Sequence, residues 1–229
     1  MSLPGARVGM MAGKRLPYDA RVEYIGSWQA YKTWMDTGCI ATGSTRLVVD
    51  CSFPSIGSQN PRMGQAIPSA QFNFGRMSAS TSTFRASVGG GTESSLLTVI
   101  STVAVDTNRH TFEIDARPPC AFKIDGVSFS NNYGTAITPS TKTFTQFAVR
   151  GNSSTSPVTA STINDVYVWG AKIYDGDTLL HDWIPVRVGQ EGRLYDQADP
   201  TSGPLGNGIW APQPDATGTW SVGPDISSP

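Results

Sequence analysis

The amino-acid sequence predicts a single all-β domain built as a two-sheet antiparallel sandwich, and three observations support this. Short runs of residues alternate between two faces, one of them mainly apolar, which is typical of strands that bury one face. Turn-forming dipeptides separate these runs, among them Asp125-Gly126 and Asp175-Gly176. Charged residues make up only 15% of the 229 residues. The abundant Ser, Thr and Gly suit strand faces and tight turns better than long solvated helices.

The alternation is clearest over residues 46–53. There Leu47, Val49, Cys51 and Phe53 point to one side, and the residues between them point to the other. Many short strands with turns between them are typical of a sandwich or jelly roll. Further strands are predicted within residues 95–105, 111–115, 122–124, 145–149, 166–174 and 179–186.

The two ends of the chain depart from this pattern. Residues 1–17 are rich in Gly, Met, Ala and basic residues, and we predict that they form an arm or linker. The sandwich domain is predicted over residues 18–229. From about residue 200 onward, several prolines with glycines between them break any regular strand, so this end should pack as an irregular strap. The apolar residues available to anchor the strap are Leu205, Ile209, Trp210 and Trp220.

Charge and hydropathy exclude some partners. The net charge is −1, from 17 basic and 18 acidic residues, and the basic residues form no run. No field of one sign would therefore attract nucleic acid or acidic lipid. The chain shows neither a signal-peptide pattern near its start nor an apolar stretch of transmembrane length. We expect a protein made in a host cytoplasm, without a membrane span.

Three cysteines, Cys39, Cys51 and Cys120, allow two interpretations. Cys39 and Cys51 could join neighbouring strands as a disulfide. Alternatively, all three are buried free thiols that act as small apolar residues, as in proteins of a reducing compartment. The number is odd and the spacing fits no zinc site, so the second interpretation is favoured.

Two segments resemble a known family. The run from His110 to Asp115, continued from Ala121 to Phe129, resembles the central hairpin of laminin-G-like and concanavalin A-like domains. The segment 166–196, and above all 172–187, is similar to the carboxy-terminal part of lectin-like domains of gut bacteria and their phages. The resemblance covers roughly residues 18–200. It implies a jelly-roll sandwich, without enzymatic activity in most members, that serves as a carbohydrate-binding or structural module of surface, tail or virion proteins.

Two acidic motifs were considered as catalytic groups. Asp36-Thr37-Gly38 matches the aspartic-protease triplet, but that chemistry needs two such carboxylates and no second triplet occurs. Glu113 and Asp115 share one strand face, as in jelly-roll glycosidases, which use two facing carboxyl groups as acid and nucleophile. The expected further carboxylate two residues on is Arg117. We therefore predict a protein that is not an enzyme.

The remaining polar motifs give weaker hints. His110 and His181 lack a nucleophile motif beside them and are predicted to end strands. With no Cys/His cluster, no metal site is predicted. The oxygens of Asp175, Asp177 and Asp182 are compatible with calcium, although turn formation is the favoured explanation of these residues.

Aromatic side chains provide the best indication of a ligand, because their faces stack on sugar rings while polar groups fix the orientation. Trp28 and Tyr31 lie in a polar stretch before the main strands, whereas Trp169 and Trp183 alternate with apolar residues and are predicted to be core. The predicted ligand-binding set is completed by loop residues that could form a polar rim: Asn131, Asn132, Tyr133, Arg150 and Asn152.

These observations lead to three hypotheses. The first is a non-catalytic lectin-like module of a phage virion, phage tail or bacterial surface assembly that recognises glycan. The second is a structural protein that decorates a virion and uses residues 1–17 to bind a neighbouring subunit, with a homo-oligomer as one form of the assembly. The third is a glycoside hydrolase, which would need two buried carboxyl groups facing each other across a groove.

Overall fold

The computed structural model describes residues 16–27, 35–54, 62–67, 70–76, 83–89, 97–100, 105–130, 145–146, 149–150, 166–201 and 220–226. Over these residues the backbone forms seventeen strands in two sheets, and it forms no helix. None of the described residues therefore belongs to a helix long and apolar enough to cross a membrane.

The larger sheet contains ten strands. Its main path runs β1-β15-β14-β4-β9-β10-β11, while β2 pairs with β14, β16 with β15, and β17 with β2. The strands are β1 (Ala20–Arg21), β2 (Ile25–Ser27), β4 (Thr45–Ser52), β9 (His110–Asp115), β10 (Ala121–Ile124), β11 (Val127–Ser130), β14 (Val166–Asp175), β15 (Thr178–Val188), β16 (Glu191–Asp196) and β17 (Ser221–Val222).

The smaller sheet contains seven strands. Its path runs β3-β12-β5-β6-β7-β8, and β13 pairs with β5 in parallel. The strands are β3 (Met35–Asp36), β5 (Arg62–Ile67), β6 (Ala70–Arg76), β7 (Phe84–Gly89), β8 (Leu97–Ile100), β12 (Thr145–Gln146) and β13 (Val149–Arg150).

The chain passes repeatedly between the two sheets. It crosses after β4 and returns at β9, then crosses after β11 and returns at β14. As a result β4 lies between β9 and β14, its partners from distant parts of the sequence. This non-sequential order distinguishes a jelly roll from a simple meander. The prediction of an all-β, two-sheet jelly-roll sandwich is confirmed.

An aromatic cluster joins the two sheets. Phe112 of β9 stacks on Phe74 of β6 with ring centroids 5.1 Å apart, and it lies 5.2 Å from Phe84 of β7. Phe53 and Phe122 extend the same cluster. All five side chains are buried. The alternation predicted for β4 is observed too, with Leu47, Val49 and Cys51 facing this core. Burial of large rings between two sheets supplies most of the apolar area that holds such a sandwich together.

Two predicted hairpins form, with one difference in turn position. Asp125 and Gly126 have φ of 52° and 80° and join β10 to β11, since Ile124 pairs with Val127. Positive φ at both central residues is the geometry of a tight hairpin turn. In the second hairpin Asp175 pairs with Thr178, so the loop is Gly176-Asp177 rather than Asp175-Gly176.

A β-bulge corrects the prediction for Trp169. In the pairing of β14 with β4, Val168 lies opposite Cys51 and Gly170 opposite Asp50, so Trp169 is an extra residue without a partner. Trp169 is half-exposed on the same outer face as Tyr167, and the insertion returns Ala171 to the core. The prediction of a core Trp169 is therefore wrong. Trp183 is fully buried, as predicted.

The structure also tests the predictions for the three cysteines and for the carboxy-terminal strap. All three cysteines are free thiols, so the interpretation of a Cys39–Cys51 disulfide is wrong. Cys51 and Cys120 are buried, and Cys39 is half-buried against the core. Burial raises the pKa of the Cys51 thiol well above its usual value. Trp220 is buried, as expected of a residue that fixes the strap, while the other proposed strap anchors lie outside the described residues.

We expect Phe112→Ala to lower the free energy of unfolding by about 3–5 kcal/mol, because it leaves a cavity between the two sheets. Urea denaturation followed by tryptophan fluorescence measures this change. The neighbouring exposed residue provides the control, and Thr111→Ala should change stability by less than about 0.5 kcal/mol. Equal losses in the two variants would contradict the central position of Phe112.

Candidate functional site

Most of the predicted ligand-binding residues lie outside the described residues. This applies to Trp28, Tyr31, Asn131, Asn132, Tyr133 and Asn152. Arg150 lies in β13, and the structure describes its backbone, which pairs with Gln65 of β5. This set of residues therefore stays a prediction. Among the described residues, a different surface has the form of a ligand site.

That surface is a groove on the outer face of the ten-stranded sheet, above β4, β14 and β15, and we call it the outer groove. It encloses about 290 Å³. Its apolar part is formed by Val48, Ile184 and the indole of Trp169. A groove with an apolar floor and a few polar groups at its sides is the usual form of a small-ligand site.

Trp169 is held in a fixed position at the side of this groove. Its ring centroid lies 5.2 Å from that of Tyr24 and 6.2 Å from that of Tyr167. The guanidinium of Arg109 lies over the indole, 5.1 Å from its centroid, as a cation–π contact. The bulge that exposes Trp169 is therefore stabilised by neighbours on several sides. Sequence alternation alone leaves the face of this residue ambiguous, because counting from Val168 places Trp169 outside whereas counting back from Ala171 places it inside.

The charged groups of the groove neutralise one another. Asp50 accepts a hydrogen bond of 2.8 Å from Arg109 Nε, and Lys172 Nζ donates one of 3.1 Å to Asp182. Gln197 and Thr111 add uncharged polar groups to the lining. The arrangement thus offers donors and acceptors without a net local charge. Polar and apolar residues alternate along the second half of β14, and this pattern could have identified Lys172 as a residue of the outer face.

The two carboxylates considered for glycoside hydrolysis are each bound by basic residues. Glu113 accepts a hydrogen bond of 2.7 Å from Lys123, and Arg46 lies 3.9 Å away. Asp115 accepts hydrogen bonds from Arg117, the closest at 2.7 Å. Burial raises the pKa of Asp115, but the hydrogen bonds from Arg117 outweigh this and lower it below its usual value. A general acid needs a raised pKa, so this pair does not have the properties of a hydrolase site.

The Asp36-Thr37-Gly38 triplet forms the end of a strand and a turn. Asp36 is the last residue of β3 and pairs with Thr145. Thr37 is buried, and Gly38 has a φ of 70°, in the left-handed region that favours glycine. This agrees with the interpretation of the triplet as a strand that ends in a turn.

The carboxylates considered for calcium have separate partners. Asp175 accepts a hydrogen bond from the Ser44 hydroxyl, and Asp177 accepts one of 2.9 Å from Arg117. Asp182 is paired with Lys172 in the outer groove. Among the described residues, no three His, Cys, Asp or Glu side chains are grouped as a metal site would require.

The two histidines differ in position. His110 begins β9, as predicted, and its ring nitrogens lie 2.6 Å from Asp125 and 3.0 Å from Asp106. His181 lies inside β15, so the prediction of a strand-end residue is wrong for it. Its Nδ1 lies 2.6 Å from Asp196 Oδ2.

Folding shifts the pKa values of both members of the His181–Asp196 pair. The hydrogen bond to Asp196, together with an interaction with Cys39, raises the pKa of His181 to about 10. Burial raises the pKa of Asp196, but hydrogen bonds from His181 and from two backbone N–H groups outweigh it and lower this pKa. The pair is thus charged at neutral pH.

Comparisons with known proteins give limited information. No family model matches the chain, and no curated protein matches it. Among solved structures, the chain is similar to a native heptameric SAP-like pentraxin from Limulus polyphemus, with 11% sequence identity and a TM-score of 0.46. The match covers 72% of this chain and 78% of the pentraxin chain.

We expect His181→Gln to destabilise the protein in a pH-dependent way. Because folding raises the pKa of His181, its contribution is fully present below the unfolded value of about 6.5 and is lost as the pH rises to about 10. Because folding lowers the pKa of Asp196, the stabilisation by the His181–Asp196 pair is also lost as the pH falls below about 4 and the carboxylate is protonated. Urea denaturation across this range should show the largest difference from wild type between about pH 4 and 6.5.

A core variant provides the control for this pH dependence. Val49→Ala removes only apolar contacts, so its loss of stability should be the same at every pH. A constant difference between wild type and His181→Gln from mildly acidic to alkaline pH would contradict the charged pair.

Proposed function

We propose that this protein is a non-catalytic, lectin-like binding module that recognises glycan in the outer groove. The observation that carries the proposal is the composition of that groove, in which a fixed indole and an apolar floor lie beside charged groups that neutralise each other. The all-β sandwich supports such a groove on a rigid sheet rather than on loops alone.

The lining suits the two kinds of surface that a sugar ring presents. The C–H face of a pyranose packs on apolar and aromatic side chains, here Trp169, Val48 and Ile184. Its hydroxyl groups both donate and accept, and they need partners such as Asp182 and Gln197 at the rim. The groove supplies both within one cavity of about 290 Å³.

The pairing of charges favours an uncharged ligand. An anionic ligand would compete with Asp50 for Arg109, and a cationic ligand would compete with Lys172 for Asp182. Either ligand would have to displace a charged group that is already paired, so it gains little from the charges of the groove. A neutral glycan can instead accept and donate hydrogen bonds while both pairs remain intact.

The biological setting of the proposal follows from the family resemblance of residues 166–196. It implies a module of a phage virion, phage tail or bacterial surface assembly. On this proposal the chain is made in the host cytoplasm and becomes part of a virion or surface structure.

Binding can be tested with immobilised polysaccharides, comparing neutral glucans, galactans and xylans with anionic pectin and cationic chitosan. We expect retention on at least one neutral polysaccharide, and calorimetry with an oligosaccharide of the retained polymer should then give the affinity. Trp169→Ala and Gln197→Ala should each weaken that affinity by about tenfold or more, equivalent to about 1.4 kcal/mol. Gln197 is exposed, so its loss should leave the fold intact.

The matched control for these variants is Val127→Ala. Val127 is an exposed residue of the β10–β11 hairpin and is not part of the groove, so its removal should leave affinity unchanged. Retention only on the charged polymers, or binding that survives both groove substitutions, would contradict the proposed site.

A second candidate function, assembly through residues 1–17, is favoured by an apolar surface that includes Leu16, one of these residues. Leu16 is 58% exposed and Ile226 is 47% exposed, and both line a cavity of about 300 Å³ together with Tyr18. Exposed apolar residues grouped in this way are typical of protein contact sites. On this proposal a neighbouring subunit covers the surface.

Deletion of residues 1–17 tests this second function. We expect the full chain to form an oligomer in analytical ultracentrifugation and the shortened chain to sediment as a monomer. The shortened chain should keep its β-type circular dichroism, since these residues precede β1. Identical sedimentation of the two chains would contradict the assembly function.

A further inference from the structure

A short loop carries Arg109 to the outer groove. Residues 106–109 precede His110, the first residue of β9, and all four are exposed. Exposed residues bury too little surface to be held by packing, so hydrogen bonds must fix the conformation of the loop. Asp106 accepts two of them, each of 2.7 Å, from the backbone N–H and from the side-chain amide of Asn108. The position of the loop therefore depends on what else holds Asp106.

The imidazole of His110 lies between two carboxylates. Its Nδ1 is 2.6 Å from Asp125 Oδ2, and its Nε2 is 3.0 Å from Asp106 Oδ1. An ionised carboxylate only accepts hydrogen bonds, so each contact requires an N–H group on the ring. A neutral imidazole has one N–H group, whereas the imidazolium has two. Both contacts can therefore exist together only while His110 is protonated.

The two carboxylates are held differently. Asp125 Oδ1 accepts a hydrogen bond of 2.9 Å from the Thr111 N–H, and the Asp125 N–H donates one of 2.9 Å to the Thr111 carbonyl, so β9 fixes this residue. Asp106 belongs to the exposed loop and has the longer contact with the ring. When the ring loses a proton, we expect the remaining N–H to stay with Asp125. Nε2 then presents a lone pair to Asp106 Oδ1, and the two acceptors repel each other.

We propose that His110 is a pH-dependent switch of the outer groove, which holds Arg109 over Trp169 while its ring is protonated and releases Arg109 when the ring becomes neutral. Arg109 directly precedes His110 in the chain, and its guanidinium lies 5.1 Å from the centroid of the indole. The side chain of Arg109 is 52% exposed, and its ion pair with Asp50 lies at the surface. Because such pairs contribute little alone, the position of Arg109 depends on the loop that carries it. The inference rests on the proposed glycan function only where binding is concerned.

The groups around His110 favour the protonated ring. Burial lowers the pKa of His110, but hydrogen bonds to Asp125 in the β10–β11 turn and to Asp106 in the loop outweigh burial and raise this pKa above its usual value. Hydrogen bonds from the backbone of Asn108 and from His110 lower the pKa of Asp106, so this carboxylate is ionised at neutral pH. The residue opposite His110 in β4 is Cys51. Burial raises the pKa of this thiol well above its usual value, so Cys51 adds no charge at neutral pH.

The direction of the effect follows from the raised pKa of His110. Below that pKa the ring holds both carboxylates, and Arg109 stays in place beside Trp169. As the pH rises through it, the loop loses its contact with the ring and this side of the groove loses its order. A ligand that binds the ordered groove must then restore that order, so its affinity falls. A neutral glycan does not titrate, so a pH dependence of its binding comes from the protein.

Nuclear magnetic resonance of the full chain tests the switch without a ligand. The chain has two histidines, and the signal that is lost in His110→Gln identifies His110. We expect this ring to titrate above about pH 6.5, and Asp106→Asn should lower its pKa because one of the two carboxylates is removed. Exchange of the Arg109 Nε–H with water should accelerate by about fivefold or more across this titration, relative to the Arg187 Nε–H. Arg187 is a matched reference, since its Nε–H bonds to Asp225 outside the groove.

Calorimetry with an oligosaccharide of the retained neutral polysaccharide tests the effect on binding. The affinity of the wild type should fall by about fivefold or more as the pH rises through the His110 titration. In Asp106→Asn the affinity should stay nearly constant, because the amide can donate to a neutral ring and accept from a protonated one. The control is Asp19→Asn, which removes a carboxylate at the other cavity and should keep the pH dependence of the wild type.

A His110 ring that titrates at or below about pH 6.5 would overturn the switch. So would an Arg109 exchange rate that follows that of Arg187 across the titration, or a wild-type affinity that is equal on both sides of it. If no glycan is retained at all, the proposed function fails, and the two magnetic resonance measurements still decide the switch. Circular dichroism checks that each variant is folded, and the wild-type exchange rates test the proposal even where a variant is not.

Discussion

The packing of Phe112 against Phe74 and Phe84 is the contact on which the rest of this structure depends. It joins β9 of the larger sheet to β6 and β7 of the smaller one, and so decides which face of each strand is inside. Because side chains alternate along a strand, fixing the inner face also fixes which residues reach the outer face. The outer groove and the His181–Asp196 pair are both consequences of that choice, one on the outer face of the sheet and one on the other face.

The two sites use charge in different ways. In the outer groove, Asp50 with Arg109 and Lys172 with Asp182 form pairs at the surface, where solvent screens them and where they define a polar lining without net charge. His181 and Asp196 are less accessible, and backbone N–H groups hold the carboxylate. Partial burial strengthens the interaction between His181 and Asp196 and moves their pKa values further from the usual ones. A single sheet thereby carries a groove without net charge on one face and a charged pair on the other.

The fold could be predicted from the sequence far better than the site. The alternation over Thr45–Ser52 and the turn at Asp125-Gly126 depend on neighbouring residues only, and both are present as expected. The face of Trp169 is ambiguous in the sequence, because alternation counted from Val168 and from Ala171 gives opposite answers, and the bulge set by pairing with β4 decides between them. Likewise His181 and Asp196 meet because β15 pairs with β16 in a register that places Trp183 opposite Asp196. The predicted aromatic and loop residues, such as Trp28 and Asn131, lie outside the described residues and stay predictions.

The bulge at Trp169 separates the evolution of the outer surface from that of the core. Because the extra residue has no partner in β4, its side chain contributes to neither the inner alternation nor the strand register. Substitutions at this one position can change the shape of the groove while Val168 and Ala171 continue to pack as before. The same sandwich can therefore accept a groove of another shape through a change at a single site, without a matching set of compensating changes in its interior.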